Sequence, residues 1–438
     1  MRRRREILTD HARRGMPNNR DSDRNDDMAD ATPISFGDPA VQRCPFAAYD
    51  ALRETQPVYK DPLTGFYVLT RYDDVRKALM NVKALRNRTG LNQTRETAVT
   101  EQVNKMYEER GWLPMDTLVS NDPPEHRIYR TLVDKVFLPK RVEALEPRIE
   151  EIVNELIDRF DSRGEIEFLD AFAIRLPMYV IAEQLGIAKE DMADFKTWSD
   201  ASVEMVSPLI SEEREVEIAN HIIDMQNYLA NVIERVRVTP NETLISHLAN
   251  TETDGRLLNM RELLGILHQL LIAGNETTTT TLASGMKLLI EQPELAETLH
   301  ARPELAKQFA EEALRNRSPI QILFRKAAED VEIRGVTIPA GSIVEVRYGA
   351  ANRDPRQYPC PETIDLERPN AASHLAFGAG AHLCIGNQLA RGELRIAFQT
   401  LTRRLKNFRA LHGEDSYQWL TSYIAYGPSR IWMAFDRR

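Results

Sequence analysis

Ten residues, Phe377 to Gly386, read "FGAGAHLCIG" and gather one cysteine, one histidine and three glycines just ahead of an amphipathic stretch. The following residues, "NQLARGELRIAFQTL", put Leu389, Ala390, Leu394, Ala397, Phe398 and Leu401 on one helical face, so Cys384 falls just before a helix N-terminus. Unpaired backbone N–H groups and the helix dipole favour a thiolate over a thiol there. Gly378, Gly380 and Gly386 are expected to let the backbone turn tightly around the sulfur.

Several chemistries compete for such a loop. A dinucleotide fingerprint fails, because Leu383 stands where its third glycine belongs and "NAASHLAF" is a poor buried strand. Zinc would want further ligands at close spacing, and neither C-x-x-C nor H-E-x-x-H occurs. A cysteine hydrolase with His382 as base stays open, although residues two apart on a loop diverge and no third member is evident. A thiolate ligating haem iron accounts for the cysteine and the glycines together.

Three further groups carry polar chemistry. In "LLIAGNETTTTTL" a run of five threonines follows Ala273, Gly274 and Glu276. Threonine hydroxyls can bond back to carbonyls one turn earlier and bend a helix, and the two small residues remove bulk, which opens a groove. Tolerated poor helix propensity is the plainer account of Thr279, Thr280 and Thr281. Glu312 and Arg315 share one helix face, as do His126 and Arg130 in "HRIYR"; either pair alone would read as solvated charge.

The elements that must position these residues are mostly helical. Apolar residues recur at three- and four-residue spacing from about Glu143 to Glu312. "GFYVLTRYDDVRKAL" predicts a strand running into a helix, and "VEIRGVTIPAGSIVEV" a hairpin broken by Pro339 and Gly341. From Ala351 to His374 four prolines and no periodicity predict a long loop, which a compact domain must tie down. At 438 residues and 42% hydrophobic content the chain can bury a large core. A net charge of -9 argues against bulk nucleic-acid binding. The three cysteines, Cys44, Cys360 and Cys384, are odd in number and far apart, which suits a reducing cytoplasm rather than a disulfide framework. The longest apolar run, Leu263 to Gly274, is too short to span a bilayer. Residues 1–30 are polar with no apolar segment after their arginines; they are expected to form a disordered extension, not a secretory signal, ahead of a domain over residues 31–438.

"FGAGAHLCIG" resembles the haem-binding signature of the cytochrome P-450 family, F-x-x-G-x-x-x-C-x-G, in its commoner bacterial form with His382 two residues before the cysteine. "EEALR" is similar to that family's E-x-x-R helix, "AGNETT" to its oxygen-activating central helix, and "DPPEHRIYR" to the helix that contacts the haem propionates. With "ANRDP", the hairpin and the proline-rich stretch, the resemblance runs from Pro33 to Phe435. It implies a mainly α fold with small β-sheets, a single domain that holds haem b between the central helix and the helix after Cys384.

By this resemblance Cys384 is the axial iron ligand, in a loop with Phe377 and Gly378, and His126, Arg130, Arg325 and His382 hold the propionates. Glu312 and Arg315 lock to Arg368 and pin the proline-rich stretch beneath the haem. Thr277 and Glu276 deliver protons to dioxygen, and Gln269, Ile272, Ala273, Ile320, Ile322 and Tyr423 to Tyr426, Ile424 among them, line an apolar substrate pocket. The implied activity is insertion of one oxygen atom from O2 into a medium-sized hydrophobic molecule, by default as C–H hydroxylation. Arg86 to Gly111 and Met205 to Glu215 would cap the pocket. No flavin or iron–sulfur segment follows the cysteine loop, so a ferredoxin or flavodoxin would supply electrons. Lys135, Lys140, Arg141, Arg391 and Arg395 could form its basic landing patch or be ordinary solvated charges. A peroxide-driven peroxygenase and a non-catalytic haem ligand-binding protein are the alternatives, and the Glu276–Thr277 pair speaks against both.

Overall fold

The central helix, Met260–Glu291, is 32 residues long and begins at a capping box. Asn259 Oδ1 accepts the Glu262 N–H at 3.0 Å, and the Glu262 carboxylate accepts the Asn259 N–H at 2.8 Å. Such a box satisfies two of the four orphan donors at a helix start. The first half of the helix buries Leu263, Leu264, Ile266, Leu267, Leu270 and Leu271 in one hydrophobic cluster, and its second half buries Leu282, Ala283, Met286, Leu288 and Leu289 in another. The threonine run lies between the two anchored ends.

The structure, a computed structural model, describes residues 34–90, 97–205 and 211–438. The expected extension over residues 1–30 lies outside the described residues, as do parts of both expected cap stretches. Ser35–Arg438 form one compact unit, and no helix among the described residues is long and apolar enough to cross a membrane.

The amphipathic stretch after the cysteine folds as the helix Asn387–Arg404, with Leu394, Ala397, Phe398 and Leu401 buried as their spacing predicts. It packs close to the central helix at Gly285, where a Cβ would meet the Phe398 ring at 2.2 Å. Glycine is required there by contact.

Eleven short strands complete the described structure: β1 (Val58–Lys60), β2 (Tyr67–Leu69), β3 (Leu85–Arg86), β4 (Glu165–Glu167), β5 (Ile322–Ala327), β6 (Val331–Ile333), β7 (Val336–Ile338), β8 (Ile343–Arg347), β9 (Leu405–Ala410), β10 (Tyr417–Trp419) and β11 (Pro428–Arg437). One sheet runs β1-β2-β8-β5-β3, another joins β10, β11 and β4 with β9 also on β11. The predicted strand-to-helix unit is β2 followed by the helix Tyr72–Met80. The predicted hairpin is β6–β7, turning through Arg334 and Gly335 at positive φ. Beyond Pro339 and Gly341 the chain leaves it, and β8 pairs with β2 and β5 in the larger sheet.

Candidate active site

Gly378 and Gly380 take φ of +69° and +72°, a region that side chains rarely adopt, so the loop turns there as expected. Gly386 differs from expectation. Its φ is -80°, and a Cβ on it would meet nothing within 4 Å, because it opens onto the cavity it helps to line. The loop is closed by the Cys384 N–H, which donates to the Phe377 carbonyl at 2.8 Å, and by Asn387 Nδ2, which donates to the Cys384 carbonyl at 2.6 Å. Burial pushes the Cys384 thiol up, and the Gly386 N–H, Arg130 and Arg391 only oppose it. Burial thus outweighs the helix start and the two arginines at the sulfur.

Beside the cysteine stands a cluster of cationic groups. His126 is 3% exposed and its ring lies 4.1 Å from that of His382. Arg130 donates to the Leu383 carbonyl at 2.5 Å and pairs with Asp134 at 2.9 Å. Arg325 is buried, and its Nε and the His382 Nε2 have no hydrogen-bond partner. Burial, with His126, Arg325 and Arg130 close by, drives His382 down to about 3. Burial and Arg130 also lower His126. Buried donors without acceptors are costly, and the guanidinium charges of Arg130 and Arg325 beside two neutral imidazoles ask for an anion. A haem fits these residues, with its iron toward a cavity-lining thiol and its two carboxylates toward donors otherwise unanswered.

The facing wall is the central helix. Gln269, Leu270, Ala273, Gly274, Thr277, Thr278 and Thr281 line the cavity at the spacing of a single helix face. The Thr277 hydroxyl donates to the Ala273 carbonyl at 2.8 Å and that of Thr281 to the Thr277 carbonyl at 2.8 Å, the back-bonding expected of such a run. Thr279 instead bonds the Ala173 carbonyl in the core. A Cβ on Gly274 would find open space.

Several expected positions fall elsewhere, and Arg325 is not among the cavity-lining residues either. Glu276 is not among the cavity-lining residues: it lies next to Thr277, about 100° away around the helix. Its surroundings and then Asp200 raise its carboxyl, with Lys196 opposing, although the residue keeps an exposed surface. Ile272 misses the lining stripe for the same angular reason. Ile322 is fully buried on β5, and the next residue, Leu323, faces the cavity in its place because strand side chains alternate. Ile424 is 36% exposed; only its carbonyl reaches the site's frame, accepting the Gln321 N–H at 2.7 Å. None of Tyr423 to Tyr426 lines the cavity, whereas Ile320, Gln269 and Ala273 do. Gln269 Oε1 also accepts the N–H groups of Leu118 and Val119 at 3.1 and 3.0 Å, which ties that loop to the central helix.

Under the cysteine loop the expected clamp is complete. Arg315 grips Glu312 with two bonds of 2.6 and 2.9 Å, and Arg368 Nε reaches the same carboxylate at 3.1 Å, all three side chains being buried. The two arginines then donate to carbonyls of Asn352, Pro359, Pro361 and Thr363, and Glu312 accepts the Asp365 N–H. This ties down the long proline-rich loop. The basic patch is divided: Lys135, Lys140 and Arg141 are exposed, but Arg391 pairs with Glu311 and Arg395 with Glu146, each at 2.6 Å.

Several lining residues carry no motif. Leu118, Val119, Leu323 and Tyr348 reach the cavity from a loop, a strand and a short helix. Glu393 also lines it, 3% exposed and on the buried face of its helix, four residues after Leu389. An acid at that register was legible as a misfit. Burial raises it to about 8.

A family model described as cytochrome P-450 matches residues 67–420. The chain is 37% identical over 391 residues to the mycinamicin IV hydroxylase/epoxidase of Micromonospora griseorubida, across 87% of this chain and 94% of that protein. It is 35% identical to the vitamin D(3) 25-hydroxylase of Pseudonocardia autotrophica, across 88% and 93%. A cytochrome P-450 structure from Chondromyces apiculatus superposes with a TM-score of 0.82 at 34% identity, covering 92% of this chain and 98% of that one.

Proposed function

The chain belongs to the cytochrome P-450 family of haem monooxygenases, and from that premise we propose that it hydroxylates C–H bonds of a medium-sized hydrophobic molecule in the cytoplasm, with haem b on Cys384 and electrons from a separate ferredoxin or flavodoxin. The observation that carries this reading is one cavity lined by Cys384, by the His126–Arg130–His382 donors and by Thr277. Haem bound there supplies one-electron chemistry and the activation of O2, with a thiolate ligand favouring O–O cleavage.

The chain's own residues do the rest. His382, Arg325, His126 and Arg130 would hold the group's two carboxylates. The Thr277 hydroxyl donates its hydrogen bond to the Ala273 carbonyl, so its oxygen is left to accept a hydrogen bond from a proton-bearing partner in the groove. Glu276, beyond the lining, lies within electrostatic reach of Lys196 and Asp200 on the helix Met192–Glu204, whose charges act on its carboxyl in opposite senses. Leu118, Val119, Leu270, Ile320 and Leu323 exclude water and offer an apolar bed. The relatives named for mycinamicin IV and vitamin D(3) are hydroxylases, which supports hydroxylation as the reaction.

Thr277→Ala tests the reading with any molecule that shifts the haem spin state. Substrate binding and electron uptake should persist, while product formed per reductant consumed falls and hydrogen peroxide rises. An unchanged ratio, or full activity of wild type on peroxide alone, would refute it.

A further inference from the structure

Glu311 stands next to Glu312 on the helix Ala306–Asn316 but turns to a different set of partners. Its two oxygens receive Arg391 Nε at 2.6 Å and Arg391 Nη2 at 3.2 Å, and His374 Nε2 lies 3.2 Å from one of them. His374 Nδ1 accepts the Ala376 N–H at 3.2 Å, which leaves the ring proton on Nε2; among the described residues that atom stands beside Glu311 without a hydrogen bond to it. The side chains of Glu311 and His374 are 3% and 0% exposed, and that of Arg391 is 24% exposed.

From this anchor Arg391 reaches both backbone handles of Cys384. Nη1 donates to Asn387 Oδ1 at 2.8 Å, and Asn387 Nδ2 donates to the Cys384 carbonyl at 2.6 Å. The guanidinium carbon also lies 4.5 Å over the Phe377 ring, and the Phe377 carbonyl is the acceptor of the Cys384 N–H. The His374 ring packs 5.5 Å from Phe377. We propose that the Glu311–Arg391 pair, braced by His374, is the positioning device of the cysteine loop: it fixes the Cys384 backbone on both sides and so sets where the sulfur stands.

A charge that only attracted a redox partner would need neither a buried carboxylate nor a bond to Asn387. Arginine is required because one planar fork must hold Glu311 while a further N–H holds Asn387; lysine is a single point donor and cannot do both. The inference rests on Cys384 being the axial ligand. Electron-donor docking by Arg391 would be a separate property.

The test uses the haem-loaded full chain as wild type, Arg391→Lys, Glu311→Gln and Asn387→Ala. The readouts are the Soret band of the reduced CO complex, the haem reduction potential, and the salt dependence of reduction by an acidic ferredoxin. Arg391→Lys keeps the surface charge, so its salt dependence should match wild type. Its CO complex should lose part of the red-shifted thiolate band, and its one-electron reduction equilibrium should move about tenfold, or about 59 mV. Asn387→Ala removes no buried charge and cuts one link, so a smaller shift of the same band is expected; it decides the matter if Glu311→Gln loads no haem. Wild-type band and potential in both Arg391→Lys and Asn387→Ala would overturn the positioning role. Absence of the thiolate band in wild type itself would instead overturn the assignment of Cys384.

Discussion

Two carboxylates on neighbouring helices meet burial in opposite ways. Glu312 is fully buried and shared by Arg315, Arg368 and the Asp365 N–H, in the frame beneath the cysteine loop. Glu393, on the cavity wall, is 3% exposed, and among the described residues no hydrogen bond or ion pair reaches it. Burial raises it to about 8, so it is a neutral acid through most of the physiological range. Desolvation opposes both charges; partners decide which one persists. The frame is built from satisfied charges, whereas the wall keeps groups that are free to answer a ligand.

The sharpest way to break this contrast is Glu312→Gln, which leaves two buried guanidinium groups without a counter-charge. A loss of about 3–5 kcal/mol is expected, read by denaturant unfolding and by haem content. Retained stability would show that the carbonyls of the proline-rich loop hold the arginines unaided. Within β5 the same division runs between adjacent residues. Ile322→Ala should cost about 2–5 kcal/mol and leave ligand-induced spin shifts unchanged. Leu323→Ala should alter those shifts at a smaller stability cost, and equal effects of the two would blur the line between core and wall.

The last test concerns Glu393 and pH. Its folded-state value near 8 lies above the ordinary carboxyl value of 4.5, so between these limits the folded chain holds a proton that the unfolded chain releases. The associated stability is complete below the ordinary value and is lost as pH rises toward 8, by up to about 1.4 kcal/mol per unit. Glu393→Gln should remove that slope from unfolding curves measured across the window. An unchanged slope would mean that Glu393 has a partner or is already ionised.

Motif-bearing residues were largely legible in advance because their neighbours in sequence are also their neighbours in the fold. Cys384 with its glycines, Glu312 with Arg315, and Thr277 with Ala273 each act within about a turn of backbone, so residue type and spacing declare them. Arg368 was within reach only through the family resemblance, since 56 residues separate it from Glu312. Glu276 shows the limit of adjacency: one step along a helix rotates a side chain about 100°, which takes it off the lining stripe beside Thr277.

Residue order by itself determined the helical class, the cysteine loop and the helix that follows it, because periodic burial and backbone turning are local properties of the chain. Tertiary structure alone decided that Arg391 faces Glu311 across 80 residues, that Leu323 rather than Ile322 meets the cavity, and that Glu393 lacks a partner among the described residues. Those outcomes depend on which surfaces pack together. A charge's environment is set by groups distant in sequence, and neither composition nor spacing encodes their distance in space.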